Sequence, residues 1–423
     1  MKIQRTLPPA AAPIDAKSIL RSLSGTVFPQ RHLMKLEESL KAYFGMKHVF
    51  LVSSGKTALL LILKALGALA PDKNEVLIPA YTCFSVPSAI VRAGLKVSLC
   101  DVDASTFDFD YRCLKDVKTD KTLCIVPSHL FGIPSDMDKV RLFAKERGIF
   151  VVEDAAQAMG GRYRNKLLGT IGDVGFFSLG RGKNVTCMSG GVIVTNNDNI
   201  AAGIKKEYRI LESPGFSENV LEFIKAILLA VFIRPSLYWL PSGLTFLGLG
   251  ETVFSTDFPV SRLSGVGAAL MWNWRYRLEQ SNHRRKENGR CLCKMANLKN
   301  FQKLSIPFLR LPYLAVNKEL RDNIYSGLNQ KGLGASLMYP SSINKIVEIK
   351  DQFTDSTYPT AEGISSRLLT IPTHELLSER NIKSISAVLT ASPRSSAAVV
   401  FDASPAGGST ESCTVPAKGR NNV

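Results

Sequence analysis

The chain has 423 residues, of which 53 are lysine or arginine and 36 are aspartate or glutamate, so its formal net charge is +17 at pH 7. Hydrophobic residues make up 45% and charged residues 21%, which excludes global disorder and allows two or three domains. The eight cysteines contain no CxxC pair, which argues against a disulfide scaffold or a structural zinc site. The basic surplus leaves three kinds of partner open: nucleic acid, an anionic membrane surface or a phosphorylated small molecule.

Short apolar runs rich in valine and isoleucine alternate with helical stretches between residues 33 and 194. Such runs are typical of strands buried on both faces of a parallel sheet. The alternation indicates a layered α/β domain, to which we assign residues 1–212. Residues 135–147 are predicted to form a helix, with Ser135 as its cap and an acidic first turn. The predicted strands are residues 48–52, 75–79, 96–103, 122–127, 149–154, 174–179 and 191–196.

Residues 213–260 are predicted to form an insertion, and residues 221–250 within it are the most hydrophobic stretch of the chain. A membrane-spanning helix needs about 20 uninterrupted apolar residues, and Arg234-Pro235 interrupts this stretch. We therefore predict a buried or interfacial helical hairpin. Its aromatic and leucine side chains, with lysine and arginine nearby, also fit peripheral contact with anionic lipid headgroups. Packing on its own domain or across a dimer is the alternative.

The rest of the chain divides into three parts. Residues 261–303 carry ten basic and two acidic side chains and are predicted to form a connecting basic helix. Residues 304–390 are predicted to form a small α/β domain, and residues 391–423, dominated by Ser, Ala, Pro and Gly, a disordered tail. The start of the chain lacks an apolar core long enough for a secretory signal, so the expected compartment is the cytoplasm, with membrane contact at its inner face as the alternative.

A small-residue turn, Ser53-Ser54-Gly55-Lys56-Thr57, lies between a predicted strand and a predicted helix. Backbone N–H groups at a helix N-terminus suit a phosphate group, so this turn is a candidate phosphate site. Many turns of this kind are rich in glycine and serine for steric reasons alone, which is the alternative. The turn lacks the GxxxxGK[ST] spacing of a P-loop.

Two further segments place charged residues at strand ends. Asp154 follows the predicted strand IFVV, where α/β proteins bind ligands, although a lone Asp there also serves as a helix cap. Lys183 lies between glycine-rich turns, where partial desolvation would lower its pKa and make its amine a usable nucleophile. A phosphate turn, an Asp and a Lys at successive sheet edges match the needs of pyridoxal phosphate (PLP).

In order and spacing, these motifs resemble the DegT/DnrJ/EryC1/StrS aminotransferases, most of which aminate keto groups of nucleotide-linked sugars. The resemblance covers residues 20–390 and implies a fold type I PLP-dependent transferase: a large, mostly parallel-sheet domain and a smaller C-terminal α/β domain. It rests on FGMKHVFLVSSGKTAL, VLIPAYTCFSVPSAIVRAGLKVSLCDVD, SHLFGIPSDMD, VVEDAAQAMGG, GDVGFFSLGRGKNVTCMSGG and RLLTIPTHELLSERNI.

The resemblance implies a role for each matched residue. Lys183 would bond covalently to PLP and then act as the base that moves a proton between substrate and cofactor. Asp154 would pair with the pyridinium nitrogen, and Gln157 would contact the ring hydroxyl. Ser178 would bind the phosphate together with Gly55 and a neighbouring side chain of the turn.

Two more positions match less fully. His129 matches a histidine near the ring, and a core histidine is the alternative for it. Arg262 matches an arginine in the segment that faces the partner subunit of a homodimer.

The sequence also departs from the family pattern around the cofactor. Lys56 stands where the family often has threonine after the glycine, with Thr57 one position later, and either could serve the phosphate. Cys83, which we expect among the cofactor-binding residues, stands where an aromatic residue usually stacks on the ring, so Tyr81 or Phe84 is a candidate for stacking. These departures leave the identity of the substrate open.

Three functional hypotheses follow. The first is a homodimeric aminotransferase that passes nitrogen from Glu or Gln to a keto sugar, nucleotide-linked in the family pattern, for amino-sugar or polysaccharide biosynthesis. The second is another PLP-dependent reaction, such as sugar dehydration or sulfur transfer. Dehydratases of this family replace the lysine by histidine, so Lys183 favours the first hypothesis. The third is a membrane-associated homologue without catalysis. No nucleic-acid reading module is visible, so nucleic acid is not an expected partner, and neither is a metal.

Overall fold

The structure is a computed structural model, which describes residues 4–244, 250, 252–302, 304–354 and 356–391. Within these residues, strands form a large sheet, a two-stranded sheet near the C-terminus and a short hairpin. The strands are β1 (His48–Val52), β2 (Glu75–Pro79), β3 (Lys96–Cys100), β4 (Thr122–Ile125), β5 (Phe150–Asp154), β6 (Arg162–Tyr163), β7 (Lys166–Leu167), β8 (Val174–Ser178), β9 (Gly191–Thr195), β10 (Arg310–Leu314) and β11 (Leu368–Pro372).

Helices surround the large sheet and build the C-terminal part. They are α1 (Ala16–Ser22), α2 (Ser24–Val27), α3 (Pro29–Phe44), α4 (Gly55–Leu69), α5 (Ser85–Arg92), α6 (Tyr111–Leu114), α7 (Met137–Arg147), α8 (Asp198–Arg209), α9 (Phe216–Phe232), α10 (Trp239–Ser242), α11 (Gly265–Leu270), α12 (Trp274–Met295), α13 (Lys299–Gln302), α14 (Lys318–Gln330), α15 (Pro359–Arg367) and α16 (Glu379–Ala391).

The seven-stranded sheet has the order β1-β9-β8-β5-β4-β2-β3. Strands β3, β2, β4, β5 and β8 pair in parallel, whereas β9 pairs antiparallel with both β8 and β1. Strand β9 is therefore the one strand of this sheet that runs against the others. The predicted α/β fold with a large, mostly parallel sheet is confirmed.

The sheet is buried on both faces, which explains the apolar strand sequences. Along β2, Val76 and Ile78 join the core cluster that contains α4 and α5. Leu77, between them, joins a second cluster with α7. Successive side chains of a strand point to opposite faces, so each face packs under its own helix layer.

Several predicted boundaries shift by a few residues. Strands β3 and β4 end at Cys100 and Ile125, before the predicted ends at 103 and 127. The cap of α7 is Asp136, whose carboxylate accepts the Lys139 amide at 3.2 Å. The predicted cap, Ser135, instead donates its hydroxyl to the Ser128 carbonyl at 3.1 Å, so this prediction was wrong by one residue.

The predicted insertion contains one long helix rather than two equal arms. Helix α9 ends at Phe232, immediately before the Arg234-Pro235 break, and α10 is a single turn. One side of α9 packs against α1, α2 and α11, and Asn219 there accepts the Val266 amide at 3.1 Å. In the part of the chain that the structure describes, no helix is long and apolar enough to cross a membrane.

The C-terminal unit pairs β10 with β11 in antiparallel fashion and surrounds them with α14, α15 and α16. The basic segment is divided among α11, α12 and α13, so the long helix begins at Trp274 rather than near residue 262. The predicted tail lies outside the described residues, apart from Ala391.

The start of the chain joins the two units. Leu7 donates its amide to the Gly332 carbonyl at 2.8 Å, in the C-terminal unit. The buried guanidinium of Arg285, on α12, donates to the carbonyls of Ala11 at 2.6 Å and Leu309 at 2.7 Å. Although the sequence assigned residues 1–15 to the large domain, residues 7–11 are therefore held by C-terminal residues.

A buried histidine at this junction predicts acid sensitivity. His374 donates its Nε2–H to the Pro8 carbonyl at 2.8 Å, and its Nδ1 accepts the Leu376 amide at 3.3 Å. Burial, with the nearby Arg285 charge, lowers the pKa of His374 from 6.5 to about 3. Below pH 6.5 the unfolded chain binds a proton that the folded chain does not. The free energy of unfolding therefore decreases as the pH is lowered. Between pH 7.5 and 5 the protonation of this histidine in the unfolded chain should lower the free energy of unfolding by about 2 kcal/mol.

The measurement is urea unfolding of wild type and His374→Gln at pH 7.5, 6.5 and 5. Between pH 7.5 and 5 the free energy of unfolding of the variant should decrease by about 2 kcal/mol less than that of wild type. His283→Gln, at an exposed position of α12, is the matched control and should follow wild type. Equal slopes for wild type and His374→Gln would contradict the assignment.

Candidate active site

The strand register brings the predicted site residues to one edge of the large sheet. Gly191 pairs with Val52 at the end of β1 and with Ser178 at the end of β8. On the other side of β8, Phe176 pairs with Asp154, the last residue of β5. Because β1, β8 and β5 run in the same direction, their carboxyl ends meet at this edge.

The turn between β1 and α4 forms a close-packed cradle. A Cβ on Gly55 would lie 3.2 Å from the Cβ of Ser178, and a Cβ on Gly191 would overlap the Ser54 carbonyl. The amides of Gly55 and Lys56 lie in the first turn of α4, where no intrahelical acceptor exists. A phosphate would meet these amides, the Ser178 hydroxyl and the positive end of the helix dipole.

Other side chains of the turn have structural roles. Ser54 caps α4, its hydroxyl accepting the Thr57 amide at 3.0 Å. The buried Thr57 hydroxyl donates to the Pro259 carbonyl at 3.2 Å. The Lys56 ammonium lies 4.6 Å from the ring centroid of Phe258, where burial lowers the pKa of this lysine. Ser54 and Thr57 thus shape the turn, and the Lys56 side chain contacts the insertion.

Asp154 and Glu153 have separate partners on the two faces of β5. The Asp154 carboxylate accepts the Ala156 amide at 3.0 Å and the Ser128 hydroxyl at 3.3 Å. Burial raises the pKa of Asp154, while these hydrogen bonds and the nearby Lys183 act in the opposite direction. Glu153 is fully buried and accepts amides of the 169–172 turn, including Gly172 at 2.6 Å. Glu153 therefore holds that turn in place.

His129 has the surroundings of a core histidine. Its Nε2 lies 3.1 Å from the Glu153 carboxylate, and its Nδ1 accepts the Ser135 amide at 3.1 Å. Both ring nitrogens are thus engaged within the protein, and the ring is buried. This geometry favours the structural alternative, and we assign His129 no step in the reaction.

Lys183 faces a cleft of about 1080 Å³. Burial lowers its pKa below the ordinary lysine value of 10.5, whereas the charge of Asp154 raises it and that of Arg310 lowers it further. A larger fraction of this amine is therefore neutral, and able to act as a nucleophile, than for a lysine in water. Cys83 and Gln157 line the same cleft.

Tyr339 of the C-terminal unit completes the inner cleft. Gln157 donates its amide to the Tyr339 hydroxyl at 2.8 Å, and its Oε1 accepts the Phe131 amide at 3.1 Å. Both stacking candidates are buried against this tyrosine: Phe84 stacks on its ring at 6.2 Å, and the Tyr81 hydroxyl bonds to the Met338–Tyr339 backbone. Cys83 and Tyr339 therefore present the cleft surface that these two residues support.

Three residues of the cleft are not identifiable from the sequence. Tyr339, Arg310 and Tyr238 line the cleft but lie far along the chain from the strand-end motifs, and no local pattern marks them. Arg262 donates to the carbonyls of Tyr208 and Arg209 of its own chain, each at 3.3 Å. Its predicted place in a dimer interface stays a prediction.

The family model for the DegT/DnrJ/EryC1/StrS aminotransferase family matches residues 15–390. The chain belongs to this family. GDP-perosamine synthase of Caulobacter vibrioides is 35% identical over 189 residues, which is 45% of this chain and 49% of that protein. The chain thus spans about half the length of the curated relatives it matches.

Solved structures of DegT-family proteins share the fold. Helicobacter pylori PseC, an aminotransferase involved in pseudoaminic acid biosynthesis, superposes with a TM-score of 0.71 at 17% identity. The match covers 92% of this chain and 98% of that one. DesI, solved with its TDP-sugar product, gives 0.72 at 20% identity, covering 92% of this chain and 93% of that one. The fold is that of the fold type I PLP-dependent transferases.

A glycine pair in α4 offers a test of the phosphate cradle. Gly55→Ala places a methyl group 3.2 Å from Ser178, so it should weaken PLP binding about tenfold by forcing the two apart. Gly67→Ala, in the same helix, has no atom within 4 Å of the new methyl group. It should keep wild-type affinity and stabilise the fold by about 0.5–1 kcal/mol. Absorbance titration with PLP and thermal unfolding give the two readouts, and equal PLP affinities would argue against the cradle.

Proposed function

We propose that this protein is a PLP-dependent aminotransferase that transfers an amino group from glutamate or glutamine to the keto group of a sugar. The observation that carries the proposal is the convergence of Lys183, Asp154 and the Gly55–Ser178 cradle at one sheet edge. The sugar assignment draws on the relatives, because one is named GDP-perosamine synthase and DesI was solved with its TDP-sugar product. The family pattern makes a nucleotide the expected carrier of that sugar.

The residues present fit PLP. The close packing of Gly55 against Ser178 brings the first-turn amides of α4 near the Ser178 hydroxyl, and these are groups that bind a phosphate. Asp154 would hold the pyridine nitrogen, and Lys183 would hold the cofactor covalently. The described residues contain no cluster of three acidic, histidine or cysteine side chains suited to a metal ion.

When bound, PLP supplies an electron sink for the negative charge that develops at the substrate carbon. The Lys183 amine would remove a proton from that carbon and return it at the other end of the transfer. Its lowered pKa places the amine closer to the acid–base range in which such transfers are efficient. Asp154 would keep the pyridine nitrogen protonated. Gln157, hydrogen-bonded to Tyr339 of the C-terminal unit, would orient the ring.

Sulfur transfer finds less support. That chemistry needs a mobile cysteine, whereas Cys291 and Cys293 are buried on α12. Burial raises the pKa of Cys293 to about 12, which keeps its thiol protonated and unreactive. The burial of these two cysteines favours amino transfer, and Cys83, which lines the cleft, is the cysteine that sulfur transfer would have to use.

The deciding experiment follows 2-oxoglutarate when the PLP-loaded protein is mixed with glutamate and a panel of keto sugars. We expect glutamate alone to give one equivalent of 2-oxoglutarate per active site and to convert the cofactor to its amine form. A keto sugar that is a substrate should turn this single event into turnover. Glutamine is tested in parallel. Cofactor bonded at Lys183 without conversion by any amino acid would exclude amino transfer.

Homodimerisation stays a prediction, and sedimentation of the PLP-loaded protein tests it. Peripheral membrane contact through residues 221–250 also stays a prediction. It is tested by liposome flotation of the full chain against a chain that lacks this segment, and equal flotation would remove the idea.

A further inference from the structure

The cleft that holds Lys183 continues along α9. The cleft-facing positions of this helix recur every three or four residues, so they form one stripe. From Glu218 to Phe232 the stripe is about 21 Å long at 1.5 Å per residue. Its members are Glu218, Leu221, Glu222, Lys225, Leu228, Leu229 and Phe232, and the α10 region adds Leu240 and Leu244.

Two arginines, Arg181 and Arg310, line the same cleft as Lys183 and the stripe. Burial raises the pKa of Tyr238, next to α10, and the charges of Arg310 and Arg181 oppose that change. Arg310 also acts on Lys183, so it lies within electrostatic reach of both the amine and the α10 region. Its guanidinium donates to the Ser336 hydroxyl at 2.6 Å. Neither arginine pairs with a carboxylate among residues 4–244, 252–302, 304–354 and 356–391.

The stripe itself is costly to leave in water. Leu221 and Leu228 are 51% and 50% exposed although they face the cleft. Covering them with hydrocarbon would recover hydrophobic free energy. The stripe also carries Glu218, Glu222 and Lys225. Its end nearest the arginines, with Leu228, Leu229 and Phe232, offers a nucleoside base no hydrogen-bond partner, and leaving the polar atoms of the base unpaired costs affinity.

We propose that the carrier of the sugar acceptor is a lipid phosphate and not the nucleotide of the family pattern. Its phosphate group lies at Arg310 and Arg181, and its hydrocarbon chain lies along the cleft stripe of α9. This inference rests on the proposed aminotransferase function and names the carrier of its substrate. Tyr238 and α10 follow Phe232 in the chain, so the arginines lie at the Phe232 end of the stripe. The hydrocarbon chain would run from there along α9 toward Leu228 and Leu221, which are half-exposed. An amphiphilic acceptor also gives the hydrophobic insertion a role at the site itself.

Helix α9 provides its own control surface. Ile224, Ile227 and Val231 are exposed but do not line the cleft. A membrane surface or a second copy of the chain would contact this outer face as well as the helix end. A hydrocarbon chain in the cleft would contact only the cleft stripe. Leu228→Gln and Ile227→Gln therefore change neighbouring exposed residues on two different faces of one helix.

Calorimetric titration of the PLP-loaded protein with farnesyl phosphate and isopentenyl phosphate tests the proposal. The two probes share the phosphate and differ by ten chain carbons. We expect farnesyl phosphate to bind at least about 100-fold more tightly, well within the roughly fourfold gain per buried methylene. Leu228→Gln should weaken farnesyl phosphate binding about tenfold and leave isopentenyl phosphate unchanged. Ile227→Gln should bind both probes as wild type does.

A third variant separates the contribution of the phosphate group to binding from that of the hydrocarbon chain. Arg310→Gln should weaken both phosphates by the same factor, because it removes a contact with the shared group. Thermal unfolding and sedimentation of all three variants, expected to match wild type, show that neither misfolding nor a changed oligomeric state causes the effects.

Three results would overturn the proposal: equal affinity for the two probes, equal weakening by Leu228→Gln and Ile227→Gln, or tighter binding of uridine diphosphate than of farnesyl phosphate. The first removes the hydrocarbon site. The second assigns the chain to the outer face, and the third assigns the cleft to a nucleotide. These binding measurements do not depend on turnover. Failure of the aminotransferase proposal would appear separately, as the absence of conversion of the cofactor by amino acids.

Discussion

Replacing Lys183 by alanine is expected to lower the rate of amino transfer by about 10⁴-fold or more, because the variant loses both the covalent attachment and the proton-transferring amine. The lysine faces the cleft beside Asp154, and its burial lowers the amine's pKa below 10.5. The rate is measured by single-turnover formation of 2-oxoglutarate from glutamate. The absorbance of the PLP-loaded protein in the visible region should disappear with the same substitution.

Lys166→Ala is the matched control, since Lys166 is an exposed lysine of the short β6–β7 hairpin. This variant should keep wild-type activity and absorbance. Borohydride reduction followed by peptide mapping should place the cofactor on the Lys183 peptide of wild type. A label on a different lysine would refute the assignment of Lys183.

The same amine sets a pH dependence for cofactor attachment. Only the neutral amine can bond to the cofactor, so attachment should weaken as the pH falls through the pKa of Lys183. Because burial lowers that pKa, the midpoint should lie below 10.5, the ordinary value for a lysine.

Replacing Asp154 by asparagine should lower kcat about 10³-fold with little change in folding. Asparagine keeps a side-chain oxygen that can accept the Ala156 amide, as the Asp154 carboxylate oxygen does at 3.0 Å. It removes the negative charge that would hold the pyridine nitrogen protonated, which is the basis of the electron sink. The rate of 2-oxoglutarate formation is again the measurement.

The stability of this variant gives a readout that a merely structural role would not produce. Burial raises the pKa of Asp154, so the charged form is disfavoured in the folded protein and its removal relieves that cost. The cofactor-free variant should therefore unfold at the same urea concentration as wild type or at a higher one. Asp138→Asn, at an exposed site of α7, is the control and should keep full activity. Loss of stability together with activity would indicate a structural role for Asp154.

The carboxyl edge of the sheet was predictable because its residues are local in sequence. Asp154 and Ser178 are the last residues of β5 and β8, and the Ser54–Gly55 turn follows β1 directly. Burial on both faces demands continuous apolar runs, which are easy to recognise. The direction of β9 was not predictable, because an antiparallel strand buried on both faces has the same composition as its neighbours.

The roles of individual polar side chains were harder to assign. The hydroxyl-rich turn supplies Ser54 as a cap and Thr57 as a tie to Pro259. His129 interacts with Glu153 rather than with the cleft. In each case a side chain has several possible partners, and the choice depends on groups that lie up to about 200 residues away.

The sequence by itself determined the family, the mostly parallel α/β fold and the two residues on which the proposed chemistry depends, Lys183 and Asp154. These properties follow from strand composition and from motifs at strand ends, which are short-range features. The tertiary structure decided what surrounds the amine: Tyr339 and Arg310 from the C-terminal unit and the cleft stripe of α9. Those contacts form only when distant segments pack together, so no local pattern encodes which face of α9 meets the cleft.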